Sequence, residues 1–138
     1  MFEAQCQILL ETYGIHETDI DLPTFPPFAL FSVALGMTAV IPDMDPTKPA
    51  QVNPERIIEP ILNHGVTNMF ASPALLNRVG RYGQARNIKL PTLKRVISAG
   101  APALPDNLER FSQLLEREKI SWRRYCEENF LSKIGRYQ

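Results

Sequence analysis

The sequence predicts an α/β fold, a parallel sheet with flanking helices, on three observations. Segments with apolar residues at helical spacing alternate with short extended runs, the order expected of right-handed βαβ crossovers. Val96 and Ile97 are β-branched and apolar, so the run from Leu93 reads as a strand buried on both faces. Glycine and proline stand where elements should change, at Gly14, Pro26-Pro27, Gly36, Pro54, Gly65 and Pro73.

Each element has its own signal. Phe2, Cys6, Leu9, Leu10 and Tyr13 share one helical face, and Gly14 can close that helix in the left-handed conformation a β-carbon disfavours. Ile20-Asp21-Leu22 leads into Thr24-Phe25 as a short strand stopped by Pro26 and Pro27. Residues 28–35 are apolar enough for a buried helix ending at Gly36, and Thr38-Ala39-Val40-Ile41 reads as the next strand. The stretch 42–49 is too proline-rich for regular structure and reads as a surface loop. Asn53 can cap a helix with Pro54 at its first position, where the missing amide donor costs nothing. Ile57, Ile58, Ile61 and Leu62 form its apolar side up to Gly65, and Pro60 should kink it. Residues 66–70 form the third strand. Ser72-Pro73 then opens a helix through Leu75, Leu76 and Val79, for which Gly80-Arg81-Tyr82-Gly83 reads as the end. After the strand from Leu93, Asp106 and Glu109 predict a capping box for a helix that turns Leu108, Phe111, Leu114 and Leu115 inward.

Composition excludes several classes. The chain has 138 residues, 44% of them hydrophobic, which is ordinary for a globular core. With 15 basic and 15 acidic residues the formal net charge is zero, leaving no global field to draw in nucleic acid or an anionic membrane. The apolar stretch 25–40 is broken by prolines and too short to span a bilayer, and Glu3 without a basic segment argues against a secretory signal. A cytoplasmic location is the resulting expectation. Cys6 and Cys126 lie far apart with no companion His or Cys at ligand spacing, so neither zinc nor a disulfide framework is indicated.

Single residues invite sharper readings. Asp43 and Asp45 resemble a metal pair, but without a third ligand they fit a solvated loop better, and no metal ligand is assigned. His64 sits where a cation would meet the negative end of a helix dipole, a role that fits better than catalysis because no nucleophile is near in sequence. Ser72 is followed by Pro73 and Ala74, not by the Gly of a nucleophile elbow, which favours helix capping. No catalytic residue is assigned.

The stretch Ser98-Ala99-Gly100-Ala101-Pro102 has almost no side chain, so a flat ligand could approach its backbone closely. It follows a strand, at the edge where α/β proteins bind ligands. Small residues there also serve simply to turn the chain. Read in one register, LPTFPPFALFSVALGMTAVIPDMDP, GVTNMFASPALLNRV and LKRVISAGAPALPDNLERF resemble consecutive pieces of the AMP-forming acyl-CoA synthetase family, the adenylate-forming ligases. The wording is most like that of its long-chain members and of the β-lactone synthetases of bacterial olefin biosynthesis. The likeness runs over residues 2–115.

That resemblance implies a partial subdomain of the family's large N-terminal domain at 1–115, with 116–138 a divergent extension whose apolar spacing is helical. It implies that Ser98, Ala99, Gly100, Ala101 and Pro102 form the turn against the adenine of ATP or AMP. It also implies that Phe25 and Phe28, helped by Phe70 and Ser72, wall the acyl site, although two Phe residues also fill a core without further purpose. Fatty acyl substrate and coenzyme A are the partners of the intact family. The family's phosphate loop, expected just before Phe2, does not occur in this sequence, nor does the Tyr-Gly-x-Thr-Glu motif that holds phosphate and Mg²⁺. The expectation is a fragment of a fatty-acid adenylating ligase, inactive alone and prone to self-association through an exposed sheet edge. The alternative is a stand-alone, non-catalytic α/β binding or interaction module.

Overall fold

A computed structural model describes residues 2–98 and 104–115. The elements are α1 (Phe2–Tyr13), β1 (Ile20–Pro23), α2 (Pro26–Ala34), β2 (Thr38–Ala39), a 3-10 turn (Pro49–Gln51), α3 (Glu55–His64), β3 (Asn68–Ala71), α4 (Pro73–Ala85), β4 (Arg95–Ser98) and α5 (Pro105–Ser112). The four strands form one parallel sheet in the order β2-β1-β3-β4.

The register places Asp21 opposite Asn68, and Asn68 opposite Arg95; Leu22, Met69 and Val96 are aligned one step on. Because successive side chains point to opposite faces, this register sorts the strands into two layers. Leu22, Met69, Ala71 and Val96 join Ile57, Ile61, Leu75, Leu76, Val79, Phe111 and Leu114 in a core under α3, α4 and α5. Phe70 and Ile97 point the other way, into a smaller cluster with Cys6, Leu9, Tyr13 and Leu35 under α1 and α2. Burial on both faces accounts for the apolar character of β3 and β4.

The predicted fold class is the one observed, and most boundaries fall within a few residues of expectation. Gly14, Gly36 and Gly65 follow their helices at φ of 59°, 78° and 64°, the left-handed values that end a helix most cheaply without a β-carbon. The first strand lies earlier than read: β1 ends at Pro23, and Thr24 leaves the ladder to bond Phe70. In α3 the Asn53 side chain accepts from the Glu55 amide, and the helix runs on through Pro60. Leu62, expected on its inner side, is 49% exposed.

Two expectations need correction. Gly80 and Gly83 do not end α4, which continues to Ala85; Asn87, at φ 52°, follows it in the left-handed region. Three residues apart, the two glycines share one helical face and let α5 come close. A β-carbon on Gly80 would sit 3.4 Å from the Phe111 backbone, and one on Gly83 would overlap Leu114 Cδ2. Nor do Asp106 and Glu109 form a capping box: α5 starts at Pro105 with Leu104 at the cap position and no side-chain capping bond.

Candidate functional site

The connection leaving β1 and those leaving the strands on either side of it go to opposite faces of the sheet. From β1 the chain passes to α2 on the face of the smaller cluster, and from the adjacent β3 it passes to α4 on the opposite face. A crevice opens at the carboxyl ends of two adjacent parallel strands when their following helices go to opposite faces, and α/β sheets bind ligands there. Thr24 and Phe25 follow β1 at this point, Ser72 follows β3, and Ser98 ends β4 in register with Ala71.

Three of the residues singled out in the sequence meet as a run of aromatic rings. Phe28 stacks on Phe70 at a centroid distance of 5.1 Å and 27° between planes, and Phe25 meets Phe28 edge-on at 5.8 Å and 70°. Burial is graded along the run: Phe70 is 1% exposed, Phe28 is half-buried and Phe25 is 47% exposed. Thr24 ties the two strand ends together, its amide and hydroxyl both donating to the Phe70 carbonyl at 3.1 and 2.8 Å. Phe25 also borders an apolar cavity of about 170 Å³ with Pro23, Ala29, Ile41 and Met44. Ser72 is occupied as a helix cap, its hydroxyl accepting from the Leu75 amide at 3.3 Å.

Ser98 is different. Among the described residues, its Oγ is the one buried side-chain oxygen or nitrogen with no hydrogen-bond partner. An unmade hydrogen bond of a buried hydroxyl costs about 1–3 kcal/mol, a cost that an ordered water or a ligand would relieve. Ala99, Gly100, Ala101 and Pro102, the rest of the predicted adenine turn, lie outside the described residues, as does the extension 116–138.

Beneath the aromatic run lies a polar row that sequence reading missed. Asp21 is fully buried on the α1 and α2 face of β1, with Ser32 of α2 bonded to one carboxyl oxygen and the Asn68 amide nitrogen 2.5 Å from the other. Arg95 reaches the Asn68 oxygen at 3.1 Å, the Asp19 carboxylate at 3.3 Å and the Gly14 carbonyl at 3.1 Å. Burial pushes the Asp21 carboxyl up to about 6, against the opposing pull of Ser32, Asn68 and Arg95. Asp19 goes the other way: its burial is outweighed by hydrogen bonds from the His16 amide and Thr67 and by the Arg95 charge, which hold it below the usual carboxylate range. The available signal was parity. Asp19, just before β1, and Asp21 within it alternate with Ile20 and Leu22, but only the register shows that Asn68 and Arg95 share the face of Asp21.

Asp43 pairs with Arg56 at 2.9 Å on the surface, and Asp45 accepts from the amide and hydroxyl of Thr47. The described residues contain no group of three His, Cys, Asp or Glu side chains able to hold a metal ion. A larger open groove of about 670 Å³ lies between the start of α3 and α4, lined by Asn53, Pro54, Asn77, Arg78 and Arg81 among others, and holds none of the residues expected at the site.

No family model matches the chain. Among curated proteins it is 48% identical over 124 residues, 90% of its length, to an olefin β-lactone synthetase of Stenotrophomonas maltophilia, and 43% identical over 124 residues to one of Xanthomonas campestris. The chain is similar to one segment of the olefin β-lactone synthetases, and its fold is that of adenylate-forming enzyme domains. It spans 22% of the length of each of these relatives. The fold recurs in solved adenylate-forming structures. The adenylation domain of a keto acid-selecting NRPS module bound to keto acyl adenylate superposes with a TM-score of 0.68 at 18% identity, over 81% of this chain and 22% of that one. A long-chain-fatty-acid-CoA ligase of Archaeoglobus fulgidus superposes at 0.64 and 21% identity, over 80% of this chain and 23% of that one.

Proposed function

We propose that this chain supplies the adenine edge and one acyl wall of an ATP-dependent, AMP-forming carboxylate ligase that acts on a fatty acyl substrate. The observation that carries the reading is the ring run Phe25–Phe28–Phe70 at the carboxyl ends of β1 and β3, with the unpartnered Ser98 hydroxyl at the carboxyl end of the next strand. In this reading residues 1–115 are the partial AMP-binding domain and 116–138 an extension. Ser98, Ala99, Gly100, Ala101 and Pro102 meet the adenine, mostly through backbone, since a planar base needs only a flat apolar surface and a few donors and acceptors. Phe25 and Phe28, with Phe70 behind them, present apolar rings to the acyl chain, and Ser72 borders the same space. Bound ATP supplies the adenylyl group that a carboxylate attacks with loss of pyrophosphate. The described residues offer orientation and water exclusion for that step; transfer of the acyl group to coenzyme A as a thioester, or closure of a β-lactone, follows with release of AMP. A stand-alone binding module is not favoured, because the identity to full-length synthetases continues over 90% of the chain.

Saturation-transfer NMR on the 138-residue chain with AMP and with cis-parinaric acid tests both halves. Transfer to the adenine protons that is lost in Gly100→Trp, and transfer to the polyene that weakens several-fold in Phe25→Ala, are expected. Binding of either probe unchanged by its variant would remove that half of the assignment.

A further inference from the structure

We propose that Asp21 is a positioning residue which, as the protonated acid, holds the first turn of α2 through Ser32 and thereby sets the pose of Phe28 and its neighbour Phe25. The inference rests on the reading of these rings as an acyl wall for its functional meaning, but not for its geometry.

Hydrogen-bond polarity carries the argument. A guanidinium can only donate, so Arg95 fixes the Asn68 oxygen as acceptor and leaves the Asn68 nitrogen to donate to Asp21 Oδ1. At the far end the Phe28 carbonyl can only accept, and Ser32 Oγ lies 3.0 Å from it. Ser32 has a single hydroxyl proton and two acceptors in reach, the Phe28 carbonyl and Asp21 Oδ2. With Asp21 ionised that one proton must be shared between them, whereas with Asp21 protonated and donating to Ser32 Oγ each contact has a proton of its own. The row then runs in one direction, from Arg95 through Asn68, Asp21 and Ser32 to the carbonyl of Phe28. When Asp21 ionises, the Ser32 proton is drawn towards the carboxylate and its bond to the Phe28 carbonyl weakens.

The surroundings fit a neutral Asp21. The charged groups around it are Arg95 from β4, which contacts Asn68 and is paired with Asp19, and Asp19 itself, just before β1. From α1 the titratable members of this layer are Cys6, whose thiol burial keeps protonated, and Tyr13; α2 and β3 contribute only Ser32 and Asn68 to the row. Asp21 is fully buried and, among the described residues, forms no salt bridge. Burial raises its carboxyl to about 6, so the exchange between the two arrangements falls in an accessible pH range.

The test is NMR of the full chain labelled with ¹³C at Asp and Phe, followed from pH 4.5 to 8. The Asp21 carboxyl should titrate with a midpoint near 6, and the ring resonances of Phe28 and Phe25 should move with the same midpoint. In Ser32→Ala the Asp21 titration should persist while the ring response disappears; in Asp21→Asn, if it folds, the rings should show no titration. An Asp21 midpoint in the ordinary carboxylate range, or rings that stay still while Asp21 titrates, would overturn the proposal. Binding of cis-parinaric acid at pH 5 and 8 separates the two readings. Ring titration without binding leaves the switch and removes the acyl wall, whereas pH-independent binding with silent rings leaves the wall and removes the switch.

Discussion

At the scale of single residues, Asp21 and Asp19 make opposite demands on pH. Asp21 binds its proton more tightly in the folded chain, at about 6 against an ordinary 3.8. Its contribution is therefore fully present below the ordinary value and declines as pH rises through 6, by roughly 3 kcal/mol across the interval. Asp19 is held below its ordinary value, so its contribution is present at higher pH and is lost as pH falls through the folded value. Denaturant unfolding measured from pH 4 to 7 should show stability falling with pH, and Asp21→Asn should flatten that slope. Phe70→Ala should cost about 3–5 kcal/mol, because a fully buried ring leaves a cavity, whereas Phe25→Ala, at a half-exposed ring, should cost well under half as much. Equilibrium unfolding of the two variants compares them directly. The sequence pointed to Phe25, Phe28 and Phe70, since aromatics beside a double proline stand out. For Asp21 it offered only strand parity, and its neighbours 47 and 74 positions away are assigned only by sheet register.

At the scale of elements, the contact of α4 with α5 depends on two glycines that a sequence reader takes for punctuation. Alanine in a helix interior gains up to about 1 kcal/mol over glycine, so Gly80→Ala, whose new carbon would meet the Phe111 backbone at 3.4 Å, should change stability by less than about 1 kcal/mol in either direction. Gly83→Ala should instead destabilise by about 1–3 kcal/mol, because Leu114 is 1% exposed and has no free space into which to turn. The urea midpoints of the two variants rank them. Ser72→Ala removes the α4 cap and should lower stability by about 1 kcal/mol without altering the far-ultraviolet spectrum of the folded chain. Local propensity found these helices, and the two failures share a cause. Gly83 and the predicted Asp106–Glu109 box were read from neighbours in sequence, while their roles are decided by Leu114 and by Pro105 taking the first helical turn.

At the scale of the whole molecule, α2 carries Leu30 and Val33 at 66% and 70% exposure, and Ile41 beyond β2 is 66% exposed. An edge strand of two residues, β2, lies on the same side of the sheet as this connection. Apolar surface of this kind favours association. Sedimentation velocity should show a concentration-dependent rise in mass, and the double substitution Leu30→Lys, Val33→Glu should suppress it while leaving the circular dichroism unchanged. Among the described residues no helix is long and apolar enough to cross a membrane. The 138-residue chain on its own is expected to bind ATP in the millimolar range or weaker, because adenine contact alone is worth only a few kcal/mol. Isothermal titration with ATP measures this, and a micromolar constant would reveal a phosphate site in the chain.

What the sequence determined by itself was local and periodic. Helical spacing, left-handed glycines and the alternation of extended with helical runs sufficed for a parallel α/β fold, and the wording of three segments sufficed for the likeness to adenylate-forming enzymes. These signals are carried by residues near one another in the chain, where backbone sterics and side-chain spacing act. Tertiary structure alone decided which faces meet. It sent α2 and α4 to opposite sides of adjacent strands, brought Phe25, Phe28 and Phe70 into one run and left the Ser98 hydroxyl without a partner. It also aligned Asp21, Asn68 and Arg95 in one buried row. Strand order and register are set by packing between segments far apart in sequence, and a one-residue slip would have turned every one of these side chains to the other face.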